Sequence, residues 1–186
     1  MNRFNSLTIF LCGFMGTGKT TLGKKLATLL KLPFRDLDDF MVGKENRSIP
    51  EIFEEDGEPY FRSLEKESIR ELGGRFNGVL ALGGGALQNQ EIIDYIKENG
   101  ILVFIKTDFN TILERILSEE GRPLLLDDDG NRKPGEMLTR ELRQLYDSRL
   151  PSYNQAQLIF GSDHYETITD AAEALAAQIK EYVEHH

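Results

Sequence analysis

Eight residues near the amino end carry the clearest chemistry in the chain. Gly13-Phe14-Met15-Gly16-Thr17-Gly18-Lys19-Thr20 fits the pattern G-x-x-x-x-G-K-[ST]. Glycine lets a chain curl and expose consecutive backbone N–H groups, and a helix N-terminus adds partial positive charge, so a loop of this kind cradles phosphates. A lysine in the place of Lys19 reaches the β and γ phosphates of a nucleoside triphosphate, and a hydroxyl in the place of Thr20 binds Mg²⁺. Gly13, Gly16, Thr17, Gly18, Lys19, Thr20 and the adjoining Thr21 are therefore the predicted nucleotide contacts. The pattern points to a nucleoside triphosphate with Mg²⁺ and leaves the reaction open.

Two carboxylates follow. Asp36-Leu37-Asp38 sits where a second strand is predicted to end. Residues two apart on a strand share a face, with Cα atoms about 6.6 Å apart. In open α/β sheets ligands bind beyond the carboxyl ends of the strands, which sets both side chains beside the phosphate loop. One can then support Mg²⁺ while the other accepts a proton from an attacking hydroxyl. Aspartate is equally a turn former and a helix cap, and the residues alone weigh the two readings evenly. Asp39 is the expected N-cap of the next helix.

Arg62, Arg115, Arg122 and Arg149 stand out by their neighbourhoods. A guanidinium grips carboxylate or phosphate with a planar fork, although a single arginine is more often a solvated surface group. Gly83-Gly84-Gly85, at the end of a strand, suggests backbone in close approach to a ligand, with an ordinary tight turn as the alternative. The strand before these glycines carries no aspartate for a magnesium shell, which favours Asp36 for that task.

The elements that must position these residues are short apolar runs separated by helical patterns. Residues 7–12, 79–82, 101–105 and 158–160 read as strands buried on both faces, with 34–38 as a weaker fifth. Residues 19–31, 58–72, 89–99, 108–118 and 167–184 read as helices, and Ser48-Ile49-Pro50-Glu51 as a capping box. The alternation predicts an α/β doubly wound parallel sheet in one unit spanning 1–186. Residues 119–135 mix Gly, Pro and five acidic residues and are either a solvated loop or a lid over the substrate.

Composition narrows the partners. A chain of 186 residues with 40% hydrophobic and 28% charged residues buries an ordinary core. A net charge of −9 repels polyanions, which disfavours nucleic acid and anionic membrane surfaces. No apolar run reaches membrane-spanning length, and MNRFNSLTIFLCG reads as a first strand rather than a signal peptide. One cysteine, Cys12, excludes a disulfide framework and fits a reducing, cytoplasmic setting.

In order and spacing, GFMGTGKT, DLD, SIPEIFEEDGEPYFR, ALGGGA, RPLL and RLPSY resemble the shikimate kinase family over about residues 5–180. The resemblance implies a nucleoside-monophosphate-kinase-like fold with five parallel strands, a substrate-binding region at about 36–64 and a mobile lid at about 119–135. It implies ATP-dependent phosphorylation of the 3-hydroxyl of shikimate by a monomer. By the same resemblance Lys19 contacts the ATP phosphates, Thr20 ligates Mg²⁺, and Asp36 supports the ion through water. Asp38 binds the shikimate hydroxyls and acts as base or orienting group. Arg62, Arg149 and the backbone at Gly83, Gly84 and Gly85 hold the carboxylate, Phe53 and Phe61 pack on the ring, Arg122 reaches the transferring phosphoryl group, and Arg115 lies on the adenine. The stretch LDDDGNRKPGEM between RPLL and RLPSY is longer and more acidic than in many members, and Arg132, Lys133 and Arg140 receive no role.

Overall fold

The computed structural model describes residues 7–118 and 135–185. The apolar runs form strands β1 (Thr8–Cys12), β3 (Val79–Ala81), β4 (Gly100–Lys106) and β5 (Leu158–Gly161), joined by a short β2 (Phe34–Asp36). Every pairing is parallel, and the order is β2-β3-β1-β4-β5. This is the doubly wound five-stranded sheet expected from the sequence.

The period of two along each strand divides the core into two layers. Ile9, Leu11, Val103 and Ile105 face helices α1 (Lys19–Leu30) and α7 (Ile168–His185) through Leu22, Leu26, Leu175 and Ile179. Phe10, Cys12, Leu102 and Phe104 face the other way. There they meet α3 (Ile49–Gly73), α4 (Gln90–Asn99), α5 (Phe109–Ser118) and α6 (Gly135–Tyr153). Each fully buried Leu, Ile or Phe contributes roughly 1.5–3 kcal/mol, so the central strands are a rigid platform.

Three elements depart from expectation, each for a local reason. Strand β2 stops at Asp36, and α2 (Leu37–Glu45) starts at once, so Asp36 and Asp38 do not share a strand face. Asp36, not Asp39, is the N-cap: its carboxylate accepts the Asp38 N–H at 3.1 Å. The run beginning at the capping box and the run 58–72 are one helix, kinked at Gly57, whose φ of 76° and ψ of 176° lie outside helical space. The capping box itself is formed, with Ser48 N–H donating to Glu51 Oε2 at 2.6 Å and Glu51 N–H to Ser48 Oγ at 3.4 Å. Finally, α6 lies outside the helices expected from the sequence. Its buried stripe, Leu138, Leu142, Tyr146 and Tyr153, is interspersed with the charged residues Glu136, Arg140, Glu141, Arg143, Asp147 and Arg149.

Candidate active site

All five strands deliver their carboxyl ends to one cleft of about 720 Å³, lined by residues that follow β1, β2, β3, β4 and β5 in turn. Its floor is the loop between β1 and α1. Gly16 and Gly18 take φ values of 77° and 82°, a region that strains any residue with a Cβ, and Gly18 is the N-cap of α1. The loop thereby turns its N–H groups and the positive end of α1 toward the cleft. Lys19 Nζ donates to the carbonyls of Gly13 and Phe14, both at 2.9 Å, and burial lowers its pKa from 10.5 to about 8. Thr17 Oγ1 donates to the Phe14 carbonyl at 2.8 Å and braces the curl. Thr20 and Thr21 line the cleft wall.

Across the floor, Thr20 Oγ1 donates to Asp36 Oδ2 at 2.7 Å. These two oxygens are hard donors open to the cleft, the chemistry that suits a small divalent cation retaining several of its waters. Among the described residues no group of three or more His, Cys, Asp or Glu forms a protein-only metal cage. Asp38, one residue into α2, also faces the cleft. Burial, then the charge of Asp36, raises its pKa, while Lys19 opposes the rise. A carboxylate held this way is a better proton acceptor than one in water.

The glycine run is where Asp38, Glu65, Arg149 and Arg62 meet. A Cβ on Gly83 would lie 3.2 Å from Asp38 Oδ1 and 3.1 Å from Glu65 Oε1. One on Gly84 would lie 3.3 Å from Arg149 Nη1 and 3.5 Å from the Met15 nitrogen of the phosphate loop. One on Gly85 would lie 2.8 Å and 2.9 Å from the two terminal nitrogens of Arg62. Arg62 and Arg149 therefore converge on adjacent residues beside the phosphate loop. Gly84 joins the main cleft to a hollow of about 370 Å³ that Gly85 and Arg149 also line, and Gly85 borders a smaller one shared with Arg62. Phe61 is buried and Phe53 exposed, their ring centroids 4.5 Å apart, and the Arg62 guanidinium lies 5.1 Å over the Phe61 ring.

Two residues of this region lie outside the sequence prediction. Glu65 is buried, its Oε2 accepting from Arg62 Nη1 at 2.8 Å and its Oε1 left without a partner, and burial raises its pKa. The available signal is a glutamate on the apolar face of α3, between Leu64 and Ile69 and three residues from Arg62. Tyr153 is buried under the glycine run and donates its hydroxyl to the Gly84 carbonyl. At the opposite end of the cleft Arg115 is exposed and donates from Nη1 to the Gly16 carbonyl at 3.0 Å. It faces a wall of Ser162, Tyr165, Glu166, Thr167 and Ile168. Arg122 and residues 119–134 of the expected lid lie outside the described residues.

A doubly wound parallel sheet with a lysine-bearing anion loop, a hydrogen-bonded threonine–aspartate pair and a second carboxylate opposite defines a phosphotransferase of the P-loop, nucleoside-monophosphate-kinase-like class. The family model described as "Shikimate kinase" matches residues 15–183. A shikimate kinase of Chlorobium phaeobacteroides is 37% identical over 175 residues, covering 94% of this chain and 92% of that protein. The crystal structure of shikimate kinase from Bacteroides thetaiotaomicron superposes with a TM-score of 0.85 at 32% identity, covering 94% of this chain and 98% of that one. The shikimate kinase of Acinetobacter baumannii, solved in complex with shikimate, superposes with a TM-score of 0.75 at 35% identity, covering 98% and 96%. The chain belongs to the shikimate kinase family.

Proposed function

We infer that this chain transfers the γ-phosphoryl group of ATP to the 3-hydroxyl of shikimate, giving shikimate 3-phosphate and ADP, a step of aromatic amino acid biosynthesis. The observation that carries the assignment of roles is the convergence of Asp38, Arg149 and Arg62 on Gly83, Gly84 and Gly85 next to the phosphate loop. Two guanidinium groups fix the carboxylate at one end of the ring, and Asp38 meets a hydroxyl at the other. The bond between the 3-oxygen and the γ-phosphorus forms while the bond to the β-phosphate oxygen breaks. The hydroxyl proton passes to Asp38, and ADP leaves.

Lys19 leaves the Gly13 and Phe14 carbonyls for the phosphates, where its charge meets the migrating group. Thr20 and Asp36 would hold Mg²⁺, which when bound neutralises phosphate charge. Phe53 and Phe61 offer an apolar face to the ring, and Arg115 flanks the adenine. Arg122, by resemblance, reaches the phosphoryl group from the lid at 119–135. Closure there excludes the water that would otherwise accept the phosphoryl group. The proposed working form is a cytoplasmic monomer acting on small molecules, with the single unit 1–186 holding its acceptor through residues 36–64.

ADP release with Mg·ATP against shikimate, quinate, gluconate and nucleoside monophosphates tests the assignment. Shikimate supports the fastest turnover. Turnover with gluconate or a nucleotide, with shikimate at background, would overturn it.

A further inference from the structure

The two arginines assigned to the shikimate carboxylate are held in different ways. Arg62 is pinned by carboxylates, Glu58 at 3.2 Å and Glu65 at 2.8 Å. Among the described residues Arg149 forms no ion pair, and its Nε is buried without a hydrogen-bond partner. Its guanidinium lies 5.6 Å over the ring of Phe14, with the Tyr153 hydroxyl also beside it. Phe14 belongs to the phosphate loop, at a position that the motif leaves free. It is fully buried, and Tyr146 of α6 meets its ring in a T-shaped contact at 5.4 Å. Its carbonyl accepts from Lys19 and Thr17. One residue of the loop thus presents backbone to the nucleotide end and an aromatic face to the acceptor end.

We propose that Phe14 is a positioning residue for Arg149: its ring holds the guanidinium beside Gly84, ready for the shikimate carboxylate. An aromatic face suits this task because it attracts a cation without occupying its N–H donors. A carboxylate in the same place would partly neutralise the charge that the substrate needs. Preorganisation of this kind lowers the cost of ordering a long side chain on binding. The proposal rests on the assignment of Arg149 to the acceptor carboxylate.

The test replaces Phe14 by phenylalanines carrying one, two and three ring fluorines, which preserve ring shape while draining its negative face, and by methionine. Shikimate affinity is measured calorimetrically on the full chain, with ATP affinity and the unfolding midpoint recorded beside it. Shikimate Kd is expected to climb with each fluorine, reaching about fivefold at three, with ATP Kd within about twofold throughout. A shikimate Kd flat across the fluorinated series would overturn the proposal. Arg149→Ala is measured in parallel: a loss of shikimate affinity there, with a flat series, removes Phe14 alone. Unchanged affinity in Arg149→Ala removes both Phe14 and the role given to Arg149.

Discussion

Gly18 lines the main cleft and Gly85 the hollows beside it, and the two are glycine for opposite reasons. At Gly18 a Cβ would meet nothing within 4 Å, but φ is 82°, so the demand is on the backbone. At Gly85 φ is −104°, which any residue adopts, but a Cβ would press on the Arg62 guanidinium at 2.8 Å. The nucleotide end is thus built from main-chain conformation, supported by a helix N-terminus. The end proposed to take the acceptor is built from side chains on α2, α3 and α6 that converge on space left empty by the glycine run. The first kind of site tolerates change around it and fails when the curl is lost. The second fails piecewise, one charge at a time.

Substitutions can break or sharpen that contrast. Asp38→Asn is expected to lower kcat by about 10²–10⁴, as for loss of a general base, with ATP affinity within about twofold of wild type. Steady-state kinetics with a parallel ATP titration checks this, and near-normal turnover would remove Asp38 from the chemistry. The glycine pair comes next. Gly18→Ala puts a side chain where the left-handed conformation costs about 1–2 kcal/mol and should weaken ATP binding about tenfold while sparing shikimate. Gly85→Ala should do the reverse, raising the shikimate KM about tenfold because Arg62 must move from its place, a fraction of what outright truncation of a buried charge pair costs. Equal effects of both variants on both substrates would erase the distinction.

A smaller effect depends on pH. Burial holds the Lys19 pKa at about 8, below its ordinary 10.5. Below pH 8 the ammonium is charged and ready for phosphate. Above it ATP affinity should fall, by at most about tenfold per pH unit. The ligand-free fold responds with the opposite sign. Between pH 8 and 10.5 the unfolded chain binds the proton that the native state has released, so stability rises across that window as pH rises. Nucleotide titrations and denaturant melts at pH 7, 8 and 9 separate the two trends, and Lys19→Met should flatten both. The smallest change is Ser48→Ala, which removes one arm of the capping box at the start of α3 and should cost about 1 kcal/mol in denaturant unfolding with little change in kcat.

The same contrast explains what the sequence discloses. The phosphate loop is legible because its function resides in a contiguous backbone pattern. The sheet is legible because Ile101 to Ile105 and its partners are apolar on both faces. The aspartates illustrate the limit. A three-residue strand is too short for a period-two argument, and DLDD has the acidic character of a helix start, which is what it forms. Both carboxylates reach the cleft, by a different local geometry from the one predicted. Helix α6 escapes because Arg, Glu, Asp and Pro surround its apolar stripe, although Leu138, Leu142 and Tyr146 keep a strict four-residue step. Glu65 and Tyr153 escape because a neighbour far away in sequence gives each its place: Gly83 for one, Gly84 for the other.

The most direct measurement is the site of phosphorylation. Ring-labelled ¹³C-shikimate incubated with Mg·ATP and the full chain, then read by ³¹P–¹³C coupling, should show one phosphate on carbon 3 for each ADP formed. Phosphate on another carbon, or ADP and free phosphate accumulating at the same rate without shikimate, would contradict the geometry that sets Asp38 and the two arginines against the phosphate loop.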